Sequence, residues 1–281
     1  MPIYEQNYRP WKGHLLSYPK AWWVIARTHI RLRWKRGVIA LLILASFPFL
    51  IRAIQILAMT RLSDLDFFAQ LAGNLQIDAE FFRNFIQGQS FLFILMIILT
   101  GAGLVADDQK YKANQLYFSK PMTYWDYIGG KFLTVVFYGG IITVIPALIL
   151  FFMQLLLSEN MTFFKAYFWV PFAIVGFGSI ALFTFGGLIL ALSALVSSRS
   201  AGILFFAILL FPEILRSILS RIPEIGLISL GACVRQLGGV LFGLRLPYSF
   251  SAWAAGAVIL ILFIICLLIL RWRIRPSEVV T

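Results

Sequence analysis

Long apolar stretches, separated by short polar or basic segments, run through the chain after its first 36 residues. A helix needs about 20 predominantly apolar residues to cross a bilayer. The pattern therefore predicts an all-α, polytopic membrane protein with six transmembrane helices, at residues 37–57, 86–106, 124–157, 166–196, 201–219 and 252–270. Because the third stretch is longer than one bilayer thickness, we expect it to tilt strongly or to extend out of the membrane, with a kink at Pro146.

The fourth apolar stretch differs from the others in its small residues. It contains Gly176, Gly178, Gly186 and Gly187. Small residues allow neighbouring helices to approach closely. We therefore expect this helix to lie at the centre of the bundle.

The composition excludes several other classes of protein. Of the 281 residues, 60% are hydrophobic and 13% are charged, whereas soluble proteins have about 25% charged residues. This excludes a soluble protein and a disordered chain. The two cysteines, Cys233 and Cys266, fall in a predicted loop and in a predicted span, so we expect neither a disulfide scaffold nor a redox centre.

The net charge of +12 is explained by orientation in the membrane rather than by binding of nucleic acid. With both termini in the cytoplasm, sixteen of the 24 Lys and Arg residues lie inside and eight lie outside. Cytoplasmic segments of membrane proteins carry such an excess of basic residues. We therefore predict a multi-pass protein of the cell (inner) membrane with both termini in the cytoplasm.

Residues 1–36 form a separate N-terminal segment ahead of the single transmembrane domain of residues 37–281. The segment has eight basic residues and one acidic residue, interleaved with Trp11, Trp22, Trp23 and Trp34. Indole rings and cations together are typical of a helix that lies at the membrane surface among lipid headgroups. The alternative is a basic tail that only sets the orientation of the protein.

No catalytic, metal or cofactor site is evident in the sequence. His14 and His29 have no cysteine or carboxylate cluster near them, so we predict no metal site. Gly129-Gly130-Lys131 lacks the earlier glycine and the following Ser or Thr of a phosphate-binding loop, so we predict that the chain itself binds no nucleotide.

Ionisable residues are expected only at the ends of the spans. We assign Arg52 and Glu213 to span ends and expect no acid, Lys, Arg or His in the interiors of spans two to six. Ion-driven transporters place such groups inside the membrane. The expectation therefore argues against a transporter of that class.

Residues 107–123, between the second and third predicted spans, are the most informative part of the chain. They place an apolar patch, Leu116, Tyr117 and Phe118, between charged residues, and Pro121 stops any helix before it. The pattern predicts a short surface helix, a break, and a helix that re-enters the membrane.

The start of the third span has the spacing of a capping box. Thr123 is followed three residues later by Asp126. A hydroxyl and a carboxylate at this spacing can satisfy the free N–H groups of a helix start. We therefore predict that Thr123 and Asp126 cap the third span.

At these residues the chain resembles the permease subunits of ABC transporters of the ABC-2 type. Those proteins have an amphipathic N-terminal helix and six spans, and their second-to-third connection has an acidic start, a short helix, a Ser-x-Pro step and a Gly-Lys pair. The same features follow one another here at Asp107-Asp108, Asn114 to Phe118, Ser119-Lys120-Pro121 and Gly130-Lys131. The resemblance covers nearly the whole chain in architecture but only about twenty-five residues in motif.

The resemblance implies that the short helix is a coupling helix that docks on a separate ATPase subunit. The docking residues would be Asn114, Gln115, Leu116, Tyr117, Phe118, Ser119, Lys120 and Pro121. It also implies that cytoplasmic ABC ATPase subunits bind ATP and Mg. A second permease copy, identical or homologous, would complete the translocation path, and the transporter would export its substrate. Permeases of this family tend to have short re-entrant helices between the fifth and sixth spans on the outer, extracytoplasmic side, which would fall at residues 220–249. The alternative for that segment is an ordinary periplasmic loop.

Two other classes of function stay open at this point. The first is a non-transporting membrane scaffold or sensor, in which residues 107–123 bind a different partner. The second is a lipid-modifying membrane enzyme, which would need polar catalytic groups near an interface that the sequence does not display. The sequence identifies no substrate.

Overall fold

A computed structural model describes residues 21–61, 77–113, 117, 122–158, 162–219 and 221–274. Within these ranges the chain is helical and has no strand. The helices are Ala21–Arg33, Arg36–Arg61, Ala79–Gly88, Ser90–Gly101, Ala106–Lys110, Tyr124–Ile142, Val144–Leu157, Thr162–Tyr167, Val170–Leu195, Ser198–Ile218, Leu230–Leu241 and Ala252–Arg273, with a 3-10 helix at Pro223–Ile228.

Six helical segments are long and apolar enough to cross a membrane. They are the first to sixth spans, at Arg36–Thr60, Ser90–Lys110, Tyr124–Leu157, Thr162–Leu195, Ser198–Ile218 and Ala252–Arg273. This confirms the predicted all-α, multi-pass architecture. The fourth span begins earlier than predicted, since residues 162–165 are helical rather than part of the preceding loop, and the fifth begins at Ser198, directly after the capping residue Ser197.

The fourth span lies at the centre of the bundle, as its glycines predict. In its most apolar stretch 72% of the residues are buried, against 17% in the first and fifth spans and 22% in the sixth. A side-chain carbon at Gly178 would collide with Val144, and one at Gly187 would lie 3.3 Å from the ring of Phe263. The glycines therefore allow the third and sixth spans to approach the fourth.

The third span is interrupted near Pro146, as predicted. Its helix stops at Ile142 and resumes at Val144. Pro146 has no N–H to donate to the carbonyl of Ile142, four residues before it. The hydroxyl of Thr143, at the interruption, donates to the carbonyl of Gly139 at 2.9 Å.

The stretch between the first and second predicted spans, residues 58–85, ends in a helix that the sequence analysis did not predict. Its last residues belong to the helix Ala79–Gly88, which begins at Asp78, whose side chain accepts a hydrogen bond from the N–H of Phe81. This helix buries one aromatic face, and the ring of Phe82 lies 5.6 Å from that of Phe151. The charged residues of this helix, Glu80 and Arg83, pair with each other and alternate in sequence with its aromatic residues, so the apolar face is hard to see in the sequence.

Two ends of the bundle can be distinguished by their contacts. At the proximal end, the N-terminal helix Ala21–Arg33 packs on the start of the third span, and Arg273 of the sixth span donates to the carbonyl of Ala194 in the fourth. The distal end carries Leu230–Leu241, which packs on the fourth and sixth spans. With 12 residues, this helix is about 18 Å long and too short to cross a bilayer.

Candidate functional site

Most of the predicted docking residues lie outside the described part of the chain. These are Asn114, Gln115, Leu116, Phe118, Ser119, Lys120 and Pro121. Tyr117 is described and is half-buried against the protein itself. Of the predicted docking residues, the structure therefore describes Tyr117 alone.

Thr123 and Asp126 form a capping box at the start of the third span, as their spacing predicts. The N–H of Asp126 donates to the hydroxyl of Thr123 at 3.2 Å, and the N–H of Thr123 donates to the Asp126 carboxylate at 3.1 Å. The cap fixes where the helix begins. It thereby also fixes which residues of the first turns face the bundle.

A buried ammonium group organises the proximal end. Lys131, in the third span, is fully buried. Its Nζ lies 2.6 Å from the Asp108 carboxylate, 2.8 Å from the Leu104 carbonyl and 2.7 Å from Nε2 of His29. A buried ammonium is tolerated only when charged or polar partners surround it. Here each of the three N–H groups of Lys131 has an acceptor.

Two tyrosines complete what we call the buried ion cluster, consisting of Lys131, Asp108, His29, Tyr127 and Tyr117. The hydroxyl of Tyr127 donates to Asp108 at 2.8 Å. The ammonium of Lys131 lies 5.2 Å from the ring centre of Tyr127 and 5.7 Å from that of Tyr117. The Tyr117 hydroxyl is 3.5 Å from His29. Burial, followed by the nearby Asp108, raises the pKa of Tyr117 above its usual value, so this tyrosine stays protonated at neutral pH.

The cluster joins three parts of the chain that are distant in sequence. His29 comes from the N-terminal helix, Asp108 from the end of the second span, and Lys131 from the third span. Tyr117 belongs to the connection between the second and third spans and attaches it to the cluster. Both ends of that connection are therefore fixed to the same group of charges.

A second ion pair and a serine reinforce the end of the second span. Arg33 lies 3.4 Å from Asp107. The hydroxyl of Ser193, in the fourth span, accepts from the N–H groups of Val105 and Ala106 and donates to the Ala102 carbonyl at 2.7 Å. These bonds satisfy backbone groups where the helix is irregular, between Gly101 and Ala106.

The expectation of span interiors without ionisable groups is wrong at Lys131. This residue is the eighth of the third span, about 10 Å along the helix from its start, and it forms a buried ion pair. Sequence reasoning counted it as a basic residue of a cytoplasmic segment. A lysine within an apolar helix requires a charged or polar partner. The carboxylate of Asp108, at the end of the preceding span, was the sequence feature that indicated such a pair.

A second polar cluster lies at the distal end. Glu213, in the fifth span, forms ion pairs with Arg216 at 2.7 Å and with Arg235 at 2.6 Å, and accepts from the hydroxyl of Ser229. The ring of Tyr248 lies 4.9 Å from the Arg216 guanidinium. These contacts tie the helix Leu230–Leu241 to the fifth span.

The protonation of His29 gives a test of the cluster. Burial, followed by the Lys131 ammonium, lowers the pKa of His29 to about 4. A histidine released from the cluster has the ordinary pKa of about 6.5. As the pH falls from 6.5 to 4, the released state binds a proton and the packed state does not, so packing should weaken by up to about 1.4 kcal/mol per pH unit. Above pH 6.5 the effect is absent.

Thermal unfolding of the purified protein between pH 7.5 and 4.5 measures this dependence. The variant H29Q keeps an acceptor for Lys131 but cannot titrate, so its stability should fall less than that of the parent over this range. Equal pH dependence in the parent and in H29Q would contradict the assignment.

Comparisons with protein-family models and with curated proteins found no match to this chain. Its function therefore has to be inferred from the residues and contacts described above.

Proposed function

We propose that the protein is the membrane-spanning permease subunit of an ATP-driven ABC transporter of the ABC-2 type, acting as an exporter. In this proposal residues 114–121 face the cytoplasm and dock a separate ATPase subunit, which binds ATP and Mg. A second permease copy, identical or homologous, completes the translocation path. The chain itself catalyses no reaction.

The observation that supports the proposal most is the attachment of the connection between the second and third spans. A free loop could absorb a movement imposed on it, because its backbone would simply rearrange. Here Asp108, at the start of the connection, and Lys131, in the third span that follows it, form one buried ion pair of 2.6 Å. A displacement of the docked segment would therefore be passed to the N-terminal helix and to the third span as a rigid-body movement.

The small size of two cavities in the described part of the bundle favours a path between two copies. A cavity of about 80 Å³ lies among the second, third and fourth spans and the helix Leu230–Leu241, where Arg235 borders it, and another of about 130 Å³ lies between the third, fourth and sixth spans. Sites for small organic molecules enclose roughly 300–1,000 Å³. A translocation path for such molecules therefore needs additional walls, which a second copy would supply.

Purification from native membranes tests the proposal. We expect a soluble chain to co-purify in stoichiometric amount and the complex to hydrolyse ATP, with two permease chains in each complex. A scaffold or sensor would bring a partner without nucleotide turnover, and a lipid-modifying enzyme would act on lipid without a partner. Either of these results, or a complex with only one membrane subunit, would contradict the proposal.

A further inference from the structure

An open groove lies between the first and second spans on the membrane-facing side of the bundle. Its apolar lining comes from Leu44, Phe47, Pro48 and Ile51 of the first span and from Phe91 and Leu92 of the second, and its polar lining is Arg52 and Gln55. Leu44, Phe47, Ile51 and Phe91 are each more than half exposed. Such a surface is suited to lipid chains.

Arg52 gives the groove a positive charge that no carboxylate of the described residues pairs with. Its guanidinium donates to the side-chain oxygen of Gln55 at 3.1 Å and lies 4.8 Å from the ring centre of Phe81. Among the residues that the structure describes, no carboxylate is within ion-pair distance of Arg52. Both partners of the guanidinium are neutral, so its charge is available to an anion.

The position of Arg52 along the first span matches the level of lipid headgroups. Arg52 follows Arg36 by sixteen residues, which corresponds to about 24 Å along the helix axis. The hydrocarbon core of a bilayer is about 30 Å thick. With Arg36 at the proximal boundary, the Arg52 side chain reaches the distal boundary, while Leu44 lies about 12 Å deeper along the same helix.

We infer that this groove binds one anionic phospholipid of the distal leaflet. Its phosphate accepts hydrogen bonds from the Arg52 guanidinium, which Gln55 holds in place, and its acyl chains lie along Phe47, Leu44 and Phe91. The order of polar and apolar residues along the groove matches the order of headgroup and chains in such a lipid. The inference is independent of ATPase docking, which takes place at the proximal end in the proposed function.

Native mass spectrometry of the purified full-length protein, exchanged with phosphatidylglycerol or phosphatidylcholine, tests the site. We expect the parent to retain phosphatidylglycerol about tenfold more strongly than phosphatidylcholine, because both have a phosphate but the choline cation offsets its charge; tenfold corresponds to about 1.4 kcal/mol. R52Q should abolish this preference, and R52K, which keeps the charge but not the planar fork, should keep part of it. R245Q is the matched control, because it removes one exposed distal arginine away from the groove and should leave the preference unchanged.

Several results would overturn the inference. Equal retention of both lipids by the parent would show that Arg52 extends to the membrane interface without binding an anionic lipid selectively. The same loss in R245Q as in R52Q would indicate a general charge effect. A change of oligomeric state in R52Q without a change in lipid retention would assign the groove to a second copy of the chain, and displacement of the lipid by inorganic phosphate alone would show a simple anion site.

Discussion

Replacing Lys131 with methionine is expected to lower the free energy of unfolding by about 3–5 kcal/mol, the usual cost of breaking a buried ion pair. Among the described residues, the change leaves the Asp108 carboxylate with the Tyr127 hydroxyl as its remaining hydrogen-bond partner. It also removes the donor to the Leu104 carbonyl and to His29. Since a buried charge without a counter-ion is far more costly than a lost contact, this is the largest effect that we predict for a single substitution.

Equilibrium unfolding in mixed micelles measures this cost. The double variant K131M/D108L removes both charges and should recover much of the loss, because an apolar pair of similar volume needs no counter-ion. The control is E80Q, which removes the charge of the exposed Glu80 in its pair with Arg83 and should change stability by about 0–1 kcal/mol. A K131M variant as stable as E80Q would contradict the assignment.

Replacing Gly130 with alanine is expected to separate the N-terminal helix from the third span. The added carbon would lie 2.7 Å from the carbonyl oxygen of Trp22 and 2.8 Å from Cβ of Ile25. One of these is a backbone atom and the other is the rigid base of a side chain, so relief requires the two helices to move apart. Overpacking of this kind costs about 1–3 kcal/mol.

Hydrogen exchange of the amides in Ala21–Arg33 reports this separation directly. We expect exchange in this helix to be roughly five- to 150-fold faster in G130A, since 1.4 kcal/mol corresponds to a factor of ten. Gly129 is the matched control, because a carbon added there would meet only Cβ of Trp22, at 3.9 Å. Unchanged protection in G130A would show that the helix does not depend on this close approach.

The spans could be predicted from sequence because each depends on a local property, a continuous apolar stretch. The Thr123–Asp126 cap was predictable for the same reason, since its two residues are three positions apart. The helix Ala79–Gly88 was missed because it is short and because charged residues alternate in its sequence with the aromatic residues that it buries. Sequence patterns therefore predict long elements, and features formed by neighbouring residues, better than they predict short elements.

The buried ion cluster was not predicted, because its members come together only through the tertiary fold. His29 and Lys131 are separated by 102 positions, and the one local signal was a lysine within the apolar helix Tyr124–Ile142. The close approach that brings them together depends on the glycine at position 130, which the sequence reasoning used only as part of a Gly-Lys pair. Tyr117 was predicted as an anchor for the ATPase, but the structure places its ring 5.5 Å from that of Tyr127. We accordingly expect docking to depend more on Leu116 and Phe118 than on Tyr117.

Site-specific photo-crosslinking from position 118 tests the central claim most directly. A photoreactive residue in place of Phe118 should form a crosslink to a soluble chain that co-purifies and hydrolyses ATP. The same residue in place of Leu246, which is exposed at the distal end, should not crosslink to that chain. A crosslink from position 118 to the ATP-hydrolysing subunit is the predicted result, whereas its absence in a complex that hydrolyses ATP, or an equal crosslink from position 246, would contradict docking through residues 114–121.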